Sequence, residues 1–133
     1  MTKARKALLE VLRMSNEPVS ASHLLQHPSI RFDQATVYRN LHYLEEKGMA
    51  DSFILHCTEH GTERYYSYRS CEDGVHHHWF HCRTCHRFID LGDCQYDEQL
   101  ARWEQAYGFT VSDHTFFLTG QCKNCKDATA SIN

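Results

Sequence analysis

The chain has 133 residues, 41% of them hydrophobic, a composition that supports a packed core and excludes a disordered chain. No apolar run approaches the roughly 18 residues that a membrane-spanning helix needs. The first residues lack a signal-peptide cleavage site, so we expect a cytoplasmic protein without a membrane partner. The net charge of −3 is unevenly distributed, because the first 50 residues carry seven Lys/Arg and five Asp/Glu and the remainder seven and twelve. This division predicts that one half meets an anion and the other a cation.

Three helices are predicted within the first 48 residues. Apolar residues at helical spacing predict a helix over residues 2–14. A serine in an N-cap position begins a short second helix over 20–26. An aspartate begins a third helix, which a glycine ends, over 33–48. The short connection between the last two is typical of a helix-turn-helix.

Two β-rich runs follow, over 51–57 and 63–69, and the glycine-containing "TEHGT" between them predicts a hairpin. A hairpin after a helix-turn-helix is a wing. The charged "RSCEDG" then predicts a hinge at about residues 70–75. We therefore expect a winged-helix DNA-binding domain over 1–70 and a second domain over 71–133.

The second domain is predicted to contain strands at 78–82 and 86–91, a helix that ends at Gly108, and a strand over 109–120. The fold class is therefore α/β, more narrowly α+β. A unit of about 60 residues buries little core unaided. We expect it to need a metal, a dimer partner, or both.

The cysteine pattern predicts a metal site. Seven cysteines are an odd number, which argues against a closed disulfide framework. Two CxxC pairs, Cys82/Cys85 and Cys122/Cys125, together offer four thiolates to one tetrahedral zinc. The alternative is a pair of redox dithiols, which typically begin a helix after a strand. Both pairs are expected to flank strands here, and this contrast favours zinc.

The run His76, His77 and His78 is a second candidate for metal binding. If it lies in a strand, His76 and His78 point to one face and His77 to the other, so two metals could be bound on opposite faces. The alternative is a set of solvent-exposed loop histidines. His81 and His86 flank the first CxxC pair. We expect them to be hydrogen-bonding neighbours of the ligands or ordinary surface residues, and not ligands themselves.

The predicted third helix has a polar and aromatic face. It places Gln34, Tyr38 and His42 along one edge, with Thr36 and Arg39 nearby, away from the apolar stripe. Such a face suits phosphate contacts and base-edge readout in a DNA major groove. The alternative is an ordinary solvated face.

Three separated strings, "ATVYRNL", the His-rich run before "CRTC", and "SDHTFFLTGQCKNC", resemble the ferric uptake regulator family of bacterial metal-responsive repressors. The resemblance covers nearly the whole chain. It implies a winged-helix domain, a C-terminal dimerisation domain, and homodimers on palindromic operator DNA, with no enzymatic activity and no small organic substrate. It also implies site residues, namely a structural zinc at Cys82, Cys85, Cys122 and Cys125, and DNA contacts by Arg5, Tyr38 and Arg39.

The resemblance also implies a sensor site, and the zinc uptake branch fits best. In that branch the ligands come from the wing turn, from a cysteine after the second wing strand and from a His-x-His pair, and other branches add an acidic residue. On this chain these positions are His60, Cys71, His76, His78 and Asp90. A further family site would draw on His77, Asp97 (or neighbouring Glu98) and His114.

The chain departs from the family pattern in two informative ways. The family usually has two residues between its His-x-His pair and the first cysteine, whereas Trp79, Phe80 and His81 follow His78 here. A one-residue bulge would restore the pairing. Pro18 and Ser67 stand where iron-type members often carry ligands, which counts against an iron sensor.

These observations predict a zinc-dependent repressor that binds operator DNA when its sensor site is loaded. Within the same family, the alternative is an iron or peroxide sensor that holds Fe²⁺ or Mn²⁺. In a different class, a zinc storage or chaperone protein would leave residues 1–50 without a purpose. A zinc deaminase is excluded because no HxE occurs and neither CxxC follows a proline.

Overall fold

The computed structural model describes residues 1–69 and 76–132, with side chains described up to residue 128. The chain divides into two compact units, Met1–Val75 and His76–Asn133. No helix in the described parts of the chain is both long and apolar enough to cross a membrane.

Three helices organise the N-terminal unit: α1 (Lys3–Met14), α2 (Ala21–Gln26) and α3 (Gln34–Glu46). The hydroxyls of Thr2 and Ser20 accept hydrogen bonds from backbone amides in the first turns of α1 and α2. Such caps satisfy amides that have no partner inside the helix, and they fix where each helix begins.

Three strands complete this unit: β1 (Val19–Ser20), β2 (Ala50–Cys57) and β3 (Gly61–Tyr68). They form an antiparallel sheet in the order β1-β3-β2, and Cys57 lies opposite Gly61 at the end of the β2–β3 hairpin. Gly61 has a φ of 76°, which favours glycine at this turn. The hairpin is the predicted wing.

The helices pack around one apolar cluster, which determines how α3 is oriented. Leucines and valines from all three helices meet there, and Tyr66 of β3 packs against them. Since the apolar side of α3 is held in this core, its opposite side faces solvent. The fully buried aliphatic side chains are Leu8, Leu12, Leu24, Val37, Leu41 and Leu44.

The C-terminal unit contains β4 (His77–Cys82), β5 (Phe88–Asp93), α4 (Asp97–Tyr107), β6 (Phe117–Gly120) and α5 (Lys123–Ile132). The sheet order is β5-β4-β6, with β4 antiparallel to β5 and parallel to β6. The helix α4 supplies the crossover that a parallel pair requires. The central strand β4 carries the histidine run and leads into the first CxxC pair.

The structure of this unit differs from the sequence prediction in two places. The predicted strand over 109–120 is regular only at Phe117–Gly120, where it pairs with β4. The preceding segment bonds elsewhere, since the Val111 amide donates to a Glu104 carboxylate oxygen of α4 at 2.8 Å. The helix α5, which begins between the cysteines of the second CxxC pair, was not predicted.

The β4–β5 ladder contains an irregularity beside the histidine run. His77 pairs with Asp93 and Trp79 with Asp90, so two residues of β5 lie opposite His78. One of the two is Gly92, with a φ of 83°, as in a bulge built on a left-handed glycine. The extra residue therefore lies on β5 and not, as the sequence suggested, in the histidine strand.

Candidate functional site

The buried side chains of the C-terminal unit are unusual for a small domain. Among its described side chains, those in the buried class are His78, His81, Cys82 and Cys122. The described aliphatic and aromatic side chains of this unit, up to residue 128, are half-buried or exposed. Imidazole and thiolate groups therefore occupy the places that leucine and valine occupy in the N-terminal unit.

The four CxxC cysteines converge on one point. Their sulfur atoms all lie within 4.8 Å of one another, and Cys85 Sγ is 3.8 Å from Cys122 Sγ. Zinc binds thiolate at about 2.3 Å in a tetrahedron, which separates two sulfurs by roughly 3.8 Å. The backbone amides of Cys85 and Cys122 donate to Cys82 Sγ at 3.5 and 3.4 Å. The arrangement fits a closed structural zinc site.

The same contacts affect ionisation within the quartet. Burial raises the pKa of the Cys82 thiol, but hydrogen bonds from the backbone at Cys85, Cys122 and Thr84 outweigh burial and lower this pKa to about 5. The contact with Cys122 raises the pKa of Cys125 to about 12. Several thiolates repel one another unless a cation shares them, and metals bind the deprotonated form.

The two CxxC pairs differ in local structure. Cys82 ends β4, and a turn returns the chain through Cys85 to His86, whose φ of 65° is left-handed. Cys122 lies two residues after the end of β6, and Cys125 lies in the first turn of α5. Both pairs flank strand ends, but the second also begins a helix after a strand, which is the arrangement typical of redox dithiols. The support for zinc therefore comes from the convergence of all four sulfurs.

A second cluster joins the histidine run to two distant residues. Ligand atoms of His76, His78, Cys94 and His114 all lie within 4.8 Å of one another. The Nε2 atom of His114 is 3.1 Å from His76 Nε2 and 3.1 Å from Cys94 Sγ. All four side chains are buried or half-buried. This cluster offers three imidazole nitrogens and one sulfur.

The fold fixes the ring of His78. Its Nδ1 lies 3.1 Å from the Phe116 carbonyl oxygen, and the Phe116 ring stacks on it with centroids 3.8 Å apart. A carbonyl oxygen only accepts, so Nδ1 carries the proton and the lone pair of the neutral ring is on Nε2. Metal-binding histidines are typically oriented by such a bond.

His77 points to the other face of β4. Its Nδ1 lies 2.8 Å from a carboxylate oxygen of Asp90, and its Nε2 lies 3.0 Å from one of Asp93. The two nitrogens of one ring therefore face two separate carboxylates. Asp97 begins α4 as an exposed residue of the first turn. The structure thus brings His114 together with His76 and His78, whereas His77 contacts Asp90 and Asp93.

Two predicted sensor ligands, Cys71 and His60, are not part of the clusters described above. Cys71 falls outside the described residues. His60 lies in the wing turn, where its Nδ1 is 3.5 Å from Cys57 Sγ. The hydrogen bond between these side chains lowers the pKa of the Cys57 thiol and raises the pKa of His60.

The predicted DNA-contacting face of α3 is accessible. Gln34, Tyr38 and Arg39 are exposed, and the solvent-exposed fraction of Tyr38 is 40%. Thr36 is half-buried, and its hydroxyl donates to the Asp33 carboxylate. This face points away from the apolar core that holds Val37, which leaves these side chains available to a ligand.

Arg5 is held against the same helix. Its Nε donates to Asn40 Oδ1 at 3.0 Å, and its guanidinium lies 3.6 Å from the centre of the Tyr43 ring. Asn40 is buried and donates to the Thr36 carbonyl oxygen at 2.7 Å. The sequence prediction did not include Asn40, which links α1 to the first turn of α3.

Comparison with known proteins identifies the family. The profile of the Ferric uptake regulator family matches residues 1–119. The chain belongs to this family. Ferric uptake regulator family members are transcription regulators and not enzymes, so the chain is a metal-dependent transcription regulator.

Relatives of this ferric uptake regulator family member carry names that refer to zinc uptake, ferric uptake and peroxide stress. The zinc uptake regulation protein of Mycobacterium tuberculosis is 30% identical over 128 residues, covering 94% of this chain and 93% of that protein. The ferric uptake regulation protein of Campylobacter jejuni is 26% identical over 136 residues, covering 98% and 82%. The crystal structure of the Campylobacter jejuni peroxide stress regulator has a TM-score of 0.68 at 24% identity, covering 90% and 99%. Such structural neighbours confirm the predicted α+β fold class.

One residue of the histidine cluster was missed by the sequence prediction. Cys94, four residues after Asp90, was not among the predicted site residues. Its backbone amide donates to the His76 carbonyl oxygen at 3.1 Å, directly beyond the β4–β5 ladder. The sequence signal that could have identified Cys94 is its position just after β5, where an extended antiparallel pairing would bring it opposite His76.

The C-terminal unit also exposes large apolar side chains. Every residue of α4 is described, and none is buried. Exposed fractions range from 41% for Leu91 to 74% for Tyr107. The exposed large apolar residues described in this unit are Leu91, Tyr96, Trp103, Tyr107, Phe109 and Leu118.

Proposed function

We propose that this protein is a zinc-dependent repressor that binds palindromic operator DNA as a homodimer when its sensor site is loaded. The observation that carries this proposal is the burial of histidine and cysteine in place of apolar residues in the C-terminal unit. Sulfur and imidazole donors favour zinc, whereas sites with nitrogen and oxygen donors admit ferrous iron or manganese.

The quartet Cys82, Cys85, Cys122 and Cys125 is the proposed structural zinc site. Four thiolates fill a tetrahedral coordination sphere and leave no position for a substrate, which suits a structural role. Reduced thiols require a reducing compartment, so we place the protein in the cytoplasm.

The histidine-rich cluster that contains His76 and His78 is the proposed sensor site. Its residues come from three segments: the start of β4, the end of β5 and the loop before β6. A metal ion bound here would be held by donors from all three segments and would link those segments to one another. His76 is also the first residue of its unit. Holding it fixed restrains the point at which the chain leaves for the DNA-binding unit.

This restraint would couple metal to DNA by a population shift. DNA affinity rises only to the extent that metal binds the DNA-competent shape more tightly than other shapes. Two copies of α3 must lie about one helical turn of DNA apart to contact both half-sites. We propose Gln34, Thr36, Tyr38 and Arg39 as the DNA-contacting residues of α3, with Arg5 beside them.

The exposed apolar side chains of the C-terminal unit support dimerisation. A helix without any buried residue is unusual in a folded domain, since helices in water normally bury one apolar stripe. Apolar side chains from α4 and from both edge strands, β5 and β6, remain accessible in the single chain. A second copy that covers them would supply the burial that this small unit lacks.

The test is DNA selection combined with controlled zinc. Fragments would be selected from a random duplex library by the zinc-loaded protein, and their affinity would then be measured against buffered free zinc. We expect palindromic fragments, bound tightly only when zinc is available. A response to ferrous iron or manganese but not to zinc would instead indicate the iron or peroxide alternative. Failure to select any DNA would favour metal storage.

A further inference from the structure

We propose that Cys94 supplies the thiolate of the regulatory zinc site and completes, with His76, His78 and His114, a four-ligand site within the C-terminal unit. This inference rests on the proposed function, because it names the ligands of the sensor site. It replaces the sequence-based set, in which Cys71, His60 and Asp90 join the His-x-His pair.

The distances support a single ion at this cluster. Bond lengths of about 2.0–2.1 Å to nitrogen and about 2.3 Å to sulfur separate tetrahedral ligand atoms by roughly 3.3–3.6 Å. His114 Nε2 lies 3.1 Å from both His76 Nε2 and Cys94 Sγ, and the remaining separations stay within 4.8 Å. The two separations of 3.1 Å would need to lengthen by only a few tenths of an ångström to suit zinc.

The backbone holds these donors in position without a metal. The Cys94 amide donates to the His76 carbonyl oxygen, which keeps these two residues on neighbouring chain segments. Phe116 accepts a hydrogen bond from His78 at its carbonyl oxygen, and β6 begins at the next residue. The parallel pairing of β6 with β4 therefore carries the segment with His114 to the same place.

The donor set also determines which metal is preferred. One thiolate with three imidazoles suits zinc and its spectroscopic substitute Co²⁺, and it disfavours manganese, which prefers oxygen ligands. Four protein ligands fill the tetrahedral sphere, so neither Cys71 nor Asp90 is needed. Asp90 already contacts His77 on the opposite face of β4.

The experiment is a Co²⁺ titration of protein that retains one zinc per chain in the cysteine quartet. Thiolate bound to Co²⁺ gives a near-ultraviolet charge-transfer band, and tetrahedral coordination gives intense visible bands. We expect both in the wild type, with no zinc released. Cys94→Ser should lose the charge-transfer band. It should also lower the zinc affinity of the site, measured by competition with a chromophoric chelator, by about 10- to 100-fold or more. Cys71→Ser should retain both properties.

A second variant distinguishes loss of a ligand from loss of fold. Cys94→His restores a donor, so it should bind Co²⁺ with tetrahedral visible bands and no charge-transfer band, and circular dichroism should match the wild type. A band that survives in Cys94→Ser, or that is lost in Cys71→Ser, would overturn the assignment. Zinc-independent DNA binding by the wild type would overturn the proposed function instead, because Co²⁺ binding is measured without DNA.

Discussion

Replacing Cys82 by serine should unfold the C-terminal unit. Cys82 is fully buried, ends the central strand β4, and accepts backbone hydrogen bonds from two other cysteines of the quartet. A structural zinc contributes on the order of 10 kcal/mol to folding in small metal-dependent domains. The net stability of a whole domain is about 5–15 kcal/mol. Since apolar burial in this unit is sparse, losing one ligand should remove most of its stability.

Zinc content, circular dichroism and sedimentation would measure this effect. We expect Cys82→Ser to lose about one zinc per chain, part of its helicity and its dimerisation together, and a strong chelator to produce the same changes in the wild type. Cys57→Ser, a half-buried cysteine of the N-terminal unit, is the matched control and should change none of them. A Cys82→Ser protein with wild-type zinc content and thermal stability would refute the structural role of the quartet.

Three further predictions concern the rest of the chain. Arg39→Ala should weaken binding to all DNA sequences and reduce the salt dependence by about one unit, while Tyr38→Ala should relax base preference; unchanged affinity in both would exclude α3 as the recognition helix. Trp103→Glu places a charge on the exposed face of α4, so sedimentation should show monomers, and an intact dimer would locate the interface elsewhere. Leu41→Ala should destabilise the N-terminal unit by about 2–5 kcal/mol in urea unfolding, because Leu41 is fully buried, while zinc content stays unchanged.

Local signals made the N-terminal unit predictable. Its first two helices begin at side-chain caps, and its buried leucines recur at helical spacing, so the rules that predict these helices act within a few residues. The apolar stripe of the third helix consists of Val37, Leu41 and Leu44, and all three are fully buried. The resulting orientation of α3 exposes Tyr38 and Arg39 without any further assumption.

The C-terminal unit depends more on contacts between distant residues. The segment before β6 reads as a strand, but only Phe117–Gly120 finds a partner in β4, and Val111 bonds to α4 instead. The first turns of α5 carry no strong apolar stripe, so their sequence does not show the periodicity that predicts a helix. Long-range pairing decided both outcomes.

The sorting of the histidines shows where local reasoning stops. Strand alternation predicts that His76 and His78 share one face and His77 the other, because this depends only on the pleat of β4. Which partners meet each face depends instead on the end of β5 and on the parallel pairing of β6. An isolated cysteine lies on each side of the run, Cys71 before it and Cys94 after it. Because both would donate the same kind of sulfur ligand, the residue type does not distinguish between them. The hydrogen bond from the Cys94 amide to His76 supports the proposal for Cys94, since it holds one thiol on the face that already carries three imidazoles.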